Sequence, residues 1–129
     1  MKFMLMMHAP RGNGDWNVAK WAPEDVKAMV GYMKDLNVAL KKEGTFVGAE
    51  GLTPPSETRV VRAGKGGVPE VTDGPFAEAK EFLAGFWLVE VGSKEEAYAI
   101  AARASSAPGP GGKPMNIPIE VREVGAAPA

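Results

Sequence analysis

Residues Gly85 to Glu96 have the sequence GFWLVEVGSKEE, in which a strand pattern runs directly into the start of a helix. Apolar side chains alternate along the first half, so that Phe86 and Leu88 share one face and Trp87 and Val89 the other. The serine followed three residues later by a glutamate is a capping box, which satisfies backbone donors at a helix N-terminus. Because both faces of the strand are apolar, we expect both to be covered.

A long helix is predicted upstream of this strand. Pro23 fits the first helical position, where its missing N–H costs nothing. Apolar residues then recur at spacings of three and four as far as Leu40, and Gly44 can end the helix. The capping box opens a second helix that continues to Ala104. Alternating or apolar runs predict the remaining strands at 2–8, 45–52, 57–62, 69–72 and 116–124.

The order of these elements predicts an α+β fold. It corresponds to the ferredoxin-like β-α-β-β-α-β arrangement with an inserted β-hairpin. Two helices can cover only one face of such a sheet. We therefore expect a homodimer, in which a second subunit covers the face that the helices leave open.

The composition is that of an ordinary globular protein. We expect one domain over residues 1–124 and a frayed tail at 125–129. The net charge of −1 gives no electrostatic reason to expect nucleic acid or a membrane as a partner. The chain has no cysteine, which excludes disulfides and thiolate nucleophiles and suits a cytoplasmic protein. The apolar run at the N-terminus is too short for a signal peptide, so we interpret it as a buried strand.

The motif Asp-Gly-Pro-Phe at Asp73 to Phe76 lies within a longer pattern that covers most of the chain. On these residues the sequence resembles the DGPF branch of the YCII-related proteins. The segments that carry the resemblance are the first strand at Met1 to Leu5, GAEGLTPP at Gly48 to Pro55, VTDGPFAEAKE at Val71 to Glu81, and GFWLVE at Gly85 to Glu90.

The resemblance implies a dimeric α+β barrel, similar in fold to muconolactone isomerases and small monooxygenases. Relatives in the wider group have been proposed as enzymes with a His–Asp pair in a pocket. Members of this branch are often found with extracytoplasmic-function sigma factors. We therefore expect a small-molecule enzyme or binder with its pocket near the dimer interface. The alternatives are a regulatory or protein-interaction module linked to such a sigma factor, and a dimer in which the motif is purely structural.

His8 and Asp73 are the candidates for an acid–base pair. His8 is the only histidine, and imidazole is the side chain that most readily exchanges protons near neutral pH. Asp73 opens the motif and could face a pocket. We predict that the two side chains come within hydrogen-bond reach, directly or through one water. The alternatives are a strand-end histidine bonded to backbone and an aspartate that stabilises its own turn.

Four further residues are candidates for substrate binding. Glu50 lies among glycines on a predicted strand and could face a cavity that these small neighbours leave open. Trp16 and Phe76 could line an aromatic pocket, and Arg11 lies in the long loop that follows the first strand. The structural alternative for the glutamate is a half-exposed strand position. For the aromatic residues, the alternatives are packing in the core or holding the loop against the core.

The sequence contains no motif for a cofactor. The glycine clusters at 64–67 and 109–112 lack the Lys-Ser/Thr ending of a phosphate-binding loop, so they are interpreted as turns. One histidine without cysteine makes a structural zinc site unexpected. We expect neither a cofactor nor a metal. The chemistry that we expect is proton transfer, hydrolysis or isomerisation.

Overall fold

The computed structural model describes residues 1–11 and 18–126 of the 129-residue chain. Its strands and helices follow the predicted order. They are β1 (Lys2–Pro10), α1 (Pro23–Lys42), β2 (Phe46–Gly51), β3 (Arg59–Ala63), β4 (Pro69–Asp73), β5 (Glu81–Glu90), α2 (Lys94–Ser105) and β6 (Ile119–Glu123).

Four strands form one antiparallel sheet in the order β2-β5-β1-β6. With the hairpin set aside, this is the strand order of a ferredoxin-like core, because the first and third core strands lie in the centre. The inserted hairpin, β3 and β4, forms a separate two-stranded sheet. The predicted α+β class with a hairpin insertion is therefore confirmed.

The two central strands are longer than their sequence patterns predict. β5 begins at Glu81 rather than Gly85, and β1 continues to Pro10 rather than ending at His8. The reason is that each extension pairs with the other, since Pro10 lies opposite Glu81. Hydrogen bonding between two strands satisfies their backbone donors and acceptors wherever the strands lie side by side, and it does not require alternating apolar side chains.

Alternation along β1 directs one set of side chains toward both helices. Phe3 and Leu5 on this face are buried and share one core cluster with Leu40 of α1 and Ala101 of α2. α1 ends as predicted, with Gly44 in the left-handed region at φ 75°, a conformation that glycine adopts without a Cβ penalty. Among the described residues, no helix is long and apolar enough to cross a membrane.

The predicted capping box opens α2. The Ser93 hydroxyl accepts a hydrogen bond from the Glu96 backbone N–H at 3.2 Å. The Glu96 carboxylate in turn accepts one from the backbone N–H of Gly92, also at 3.2 Å. Alanines at buried positions of α2 let this helix approach the sheet closely.

The opposite face of the four-stranded sheet is apolar along its centre and is not covered by either helix. Met4 and Met6 of β1 lie on this face beside Phe86 and Leu88 of β5, and all four are half-buried. The helices therefore cover one face of the sheet and leave the other face open, and the candidate site residues on the sheet are divided between these two faces.

Candidate functional site

A cavity of about 290 Å³ lies between α1 and the strands that face it. Its wall on the helix side consists of residues from the second to the fourth turn of α1, and its floor comes from β1, β2 and β5. The apolar part of the lining includes Met29, Val30 and Met33 from the helix and Met7, Ala49 and Trp87 from the sheet.

The cavity exists because the strand positions beneath this part of α1 are small. Near the C-terminal end of the helix, the buried side chains of Leu36 and Leu40 fill the space above the sheet. Met29 and Val30 belong to the same predicted apolar stripe, but they border the cavity. The strand residues below them carry one carbon or none beyond Cα: Ala49, Gly51, Ala84 and Gly85.

Polar side chains border this apolar cavity on the side of α1. The Trp87 indole Nε1–H donates a hydrogen bond to the Asn37 side-chain oxygen at 2.9 Å, which links the cavity floor to the helix. Lys34 lies one turn before Asn37 and also lines the cavity. Because residues three apart share a helix face, the ammonium and the amide are neighbours.

Glu50 is also among the residues that border the cavity. Its strand position, however, lies opposite Phe86 of β5, whereas Ala49 lies opposite Trp87. Alternation therefore directs the Glu50 side chain toward the face of the sheet that the helices leave open. Glu50 thus borders the cavity at the edge strand β2, while its carboxylate points away from the cavity.

His8 lies on the other face of the sheet from the cavity. Met7 contributes to the cavity floor, and the next side chain along the strand points to the opposite face. There, His8 Nε2 lies 2.7 Å from Glu120 Oε1 of β6, an ion-pair distance at which the atoms are nevertheless not aligned for a hydrogen bond. A ring N–H that faces the carboxylate oxygen accounts for a contact this short, because two acceptors would repel each other.

Asp73 lies at the end of β4, in the separate hairpin. Its side chain is 96% exposed, and its nearest cation is Arg59, with Nε 3.7 Å from Oδ1. Within residues 1–11 and 18–126, His8 and Asp73 form no ion pair with each other, since each has a different partner. The predicted direct approach of the two side chains is absent from the single chain.

Arg11 and Phe76 meet at the loop that connects β4 to β5. The Arg11 guanidinium donates hydrogen bonds to the carbonyl oxygens of Phe76, Ala77 and Ala79 at 2.9, 3.3 and 3.0 Å. Phe76 is 71% exposed and does not line the cavity. Arg11 thus holds the loop that follows the Asp-Gly-Pro-Phe motif. Trp16 lies outside the described residues.

Metal-ligating side chains do not cluster in the part of the chain that the structure describes. No three His, Cys, Asp or Glu residues there come close enough to hold an ion. The polar side chains that line the cavity on the side of α1 are an ammonium and an amide, beside a mostly apolar surface.

A comparison with known protein families agrees with the fold and with the sequence motifs. A model of the YCII-related domain matches residues 1–109. The chain belongs to the YCII-related family. A search among curated proteins found no match to this YCII-related protein. The match ends before β6, although β6 pairs with β1 in the central sheet and supplies the carboxylate beside His8.

Three side chains of this YCII-related protein were not identified from the sequence: Lys34, Asn37 and Glu120. A signal for Asn37 was present, because an amide follows directly after Leu36 on a helix that otherwise presents apolar residues to the sheet. Trp87 offered the matching signal, since a buried indole N–H needs an acceptor. Glu120 gave no local signal, because its partner lies 112 positions away (120 − 8) and depends on strand order.

Proposed function

We propose that this YCII-related protein binds a small molecule in the cavity between α1 and the sheet, as a binder or as an enzyme. The supporting observation is the cavity itself. A concave, mostly apolar space with a few polar groups at one side is the usual form of a small-molecule site. At about 290 Å³ it suits a ligand smaller than a typical drug.

We further propose a homodimer in which the open face of the sheet is the interface. The support is the half-buried apolar centre formed by Met4, Met6, Phe86 and Leu88, which neither helix covers. Covering this face would also exclude water from the His8–Glu120 pair. Sedimentation velocity tests this arrangement: Leu88→Lys should yield monomers, whereas Lys27→Met, on the exposed side of α1, should leave a dimer.

The acid–base role of His8 and Asp73 stays a prediction within this proposal. In one chain the two residues have different partners, so joint action requires the second subunit or a movement of the hairpin. Assignment to the DGPF branch is likewise a proposal, supported by the Asp73 to Phe76 motif.

Filling the cavity provides the test of small-molecule binding. A Cβ added at Gly51, a lining residue, meets no atom within 4 Å, so Gly51→Val should fold and occupy part of the space. Gly48→Val is the matched control, because it is equally unobstructed on the same strand but lies opposite Leu88, away from the cavity. Oligomeric state is measured for both, since Gly48 is on the open face.

The readout is thermal stability in the presence of six- to eight-carbon alcohols and carboxylates. A ligand at 100 times its Kd adds about 2.7 kcal/mol of stability. We expect wild type and Gly48→Val to be stabilised and Gly51→Val to respond much less. An equal response of all three proteins, or no response from any of them, would contradict binding in this cavity.

The hairpin supports a second candidate, a protein-interaction module linked to a sigma factor. Val61 and Val71 lie directly opposite each other on β3 and β4 and are 60% and 58% exposed. Covering this exposed apolar cross-strand pair with a partner would remove apolar surface from water, which favours association. Titration of an extracytoplasmic-function sigma factor against wild type, Val61→Ser and the exposed control Val47→Ser would test this function. Binding that is absent, or unaffected by Val61→Ser, would contradict it.

A further inference from the structure

We infer that the cavity selects a small apolar molecule that carries a carboxylate, with Lys34 and Asn37 binding the carboxylate oxygens. This inference rests on the proposed binding function, because it concerns the ligand of the same cavity. It follows from the orientation of one amide, the lack of a partner for one ammonium, and the apolar character of the remaining surface.

The orientation of Asn37 is fixed by its partner. An indole Nε1–H can only donate, so the Asn37 atom 2.9 Å from Trp87 must be the amide oxygen. The Asn37 Nδ2 group, with two N–H donors, then remains on the other side of the amide, and no described residue accepts from it. A half-buried donor pair beside an apolar cavity is a site for an acceptor oxygen of a ligand.

Lys34 places a positive charge next to these donors. It lines the cavity one helical turn before Asn37. The helix positions three and four residues away in both directions are Val30, Gly31, Asn37 and Val38, so no carboxylate on α1 neutralises this ammonium. In the part of the chain that the structure describes, Lys34 takes part in no ion pair.

The Lys34 ammonium and the Asn37 amide can together bind the carboxylate group of a ligand. One carboxylate oxygen can accept from Asn37 Nδ2 while the group pairs with the Lys34 ammonium, and such charge-assisted hydrogen bonds are stronger than neutral ones. The apolar body of the ligand would then lie against Met29, Met33 and Ala49. A second carboxylate on the ligand would lie against this apolar surface without a partner, which favours monocarboxylates over dicarboxylates.

Paired ligands separate this inference from the binding proposal. Hexanoate and 1-hexanol have the same apolar chain and differ in the charged group, so the ratio of their dissociation constants measures carboxylate selection. Calorimetric titration of wild type should give a Kd for hexanoate at least about tenfold below that for hexanol, as a hydrogen-bonded charge implies. Adipate, with a carboxylate at each end of the same chain length, should bind more weakly than hexanoate.

Two variants locate the selection. Lys34→Met removes the charge and keeps the length of the side chain. Asn37→Asp keeps an oxygen for the Trp87 N–H and replaces the amide donors with a negative charge. Both should weaken hexanoate binding at least about tenfold and change hexanol binding by less than about twofold. Lys27→Met, an exposed lysine of the same helix that does not line the cavity, should bind both as wild type does.

The outcomes are distinguishable. Equal wild-type affinities for hexanoate and hexanol would overturn carboxylate selection and leave cavity binding intact. Preference for hexanoate that survives in Lys34→Met and Asn37→Asp would also overturn it, because the charge would then be recognised elsewhere. Binding of neither compound by wild type would overturn the inference together with the binding proposal.

Discussion

Replacing Gly85 by alanine tests the geometry on which the cavity and the sheet edge both depend. Gly85 of β5 lies opposite Gly51 of β2 and also lines the cavity. Its backbone has no positive φ, so alanine is not excluded by conformation. A Cβ added there would lie 2.8 Å from the backbone oxygen of Glu50, which is about 0.5 Å closer than the shortest ordinary C–H···O contact.

The expected cost follows from this contact. Because the obstructing atom belongs to the backbone, β2 must shift to accommodate the methyl group, and the adjoining Leu52 N–H to Ala84 carbonyl bond of 2.9 Å would be disturbed. Overpacking of this kind costs about 1–3 kcal/mol. Alanine also restricts the unfolded chain, which returns about 0.4–1 kcal/mol. We expect a net loss of about 1–2 kcal/mol in the free energy of unfolding.

Urea unfolding at a fixed protein concentration, followed by tryptophan fluorescence, measures this loss. Gly48→Ala is the control, since a Cβ at Gly48 meets no atom within 4 Å and only the unfolded-state gain applies. The reasoning is refuted if Gly85→Ala and Gly48→Ala have the same free energy of unfolding, because a methyl group at Gly85 would then cause no steric conflict with β2.

Two further changes test the motif and the second helix. Gly74→Ala should lower the stability of the hairpin by about 1 kcal/mol, because its Cβ would lie 2.9 Å from Thr58 Cγ2 at the base of β3. Amide hydrogen exchange in β3 and β4 should then accelerate, and unchanged protection would contradict this expectation. Ser93→Ala should lower the unfolding free energy by about 1 kcal/mol through loss of the helix cap, and Ser93→Asp should restore it; equal midpoints for wild type and Ser93→Ala would count against the capping role.

Much of the fold could be predicted from local patterns. The bounds of α1 follow from Pro23, the apolar spacing and Gly44, and the start of α2 follows from the Ser93 capping box. These signals act within a few residues, where side-chain spacing and backbone capping determine the conformation. The extensions of β1 and β5 could not be predicted in this way, because they depend on pairing between segments about seventy residues apart (81 − 10).

The candidate site was less predictable than the fold. Glu50 borders the cavity, but the strand register directs its carboxylate to the other face of the sheet. His8 and Asp73, in contrast, stand in separate sheets with separate partners. The sequence places both residues near strand ends, but the face to which a side chain points and the strand beside it depend on register and sheet order. Those quantities are set by the packing of the whole domain.

The amino-acid sequence by itself specified the element order and the ferredoxin-like class, because these follow from residue periods and turn chemistry that act locally, and its motifs carried the resemblance to the YCII-related family. The tertiary structure specified that small residues of β2 and β5 lie beneath the middle of α1 and leave a cavity there. It also brought Trp87 to Asn37 and Glu120 to His8. Such contacts join positions far apart in the chain, and only the folding of strands and helix against one another brings them together.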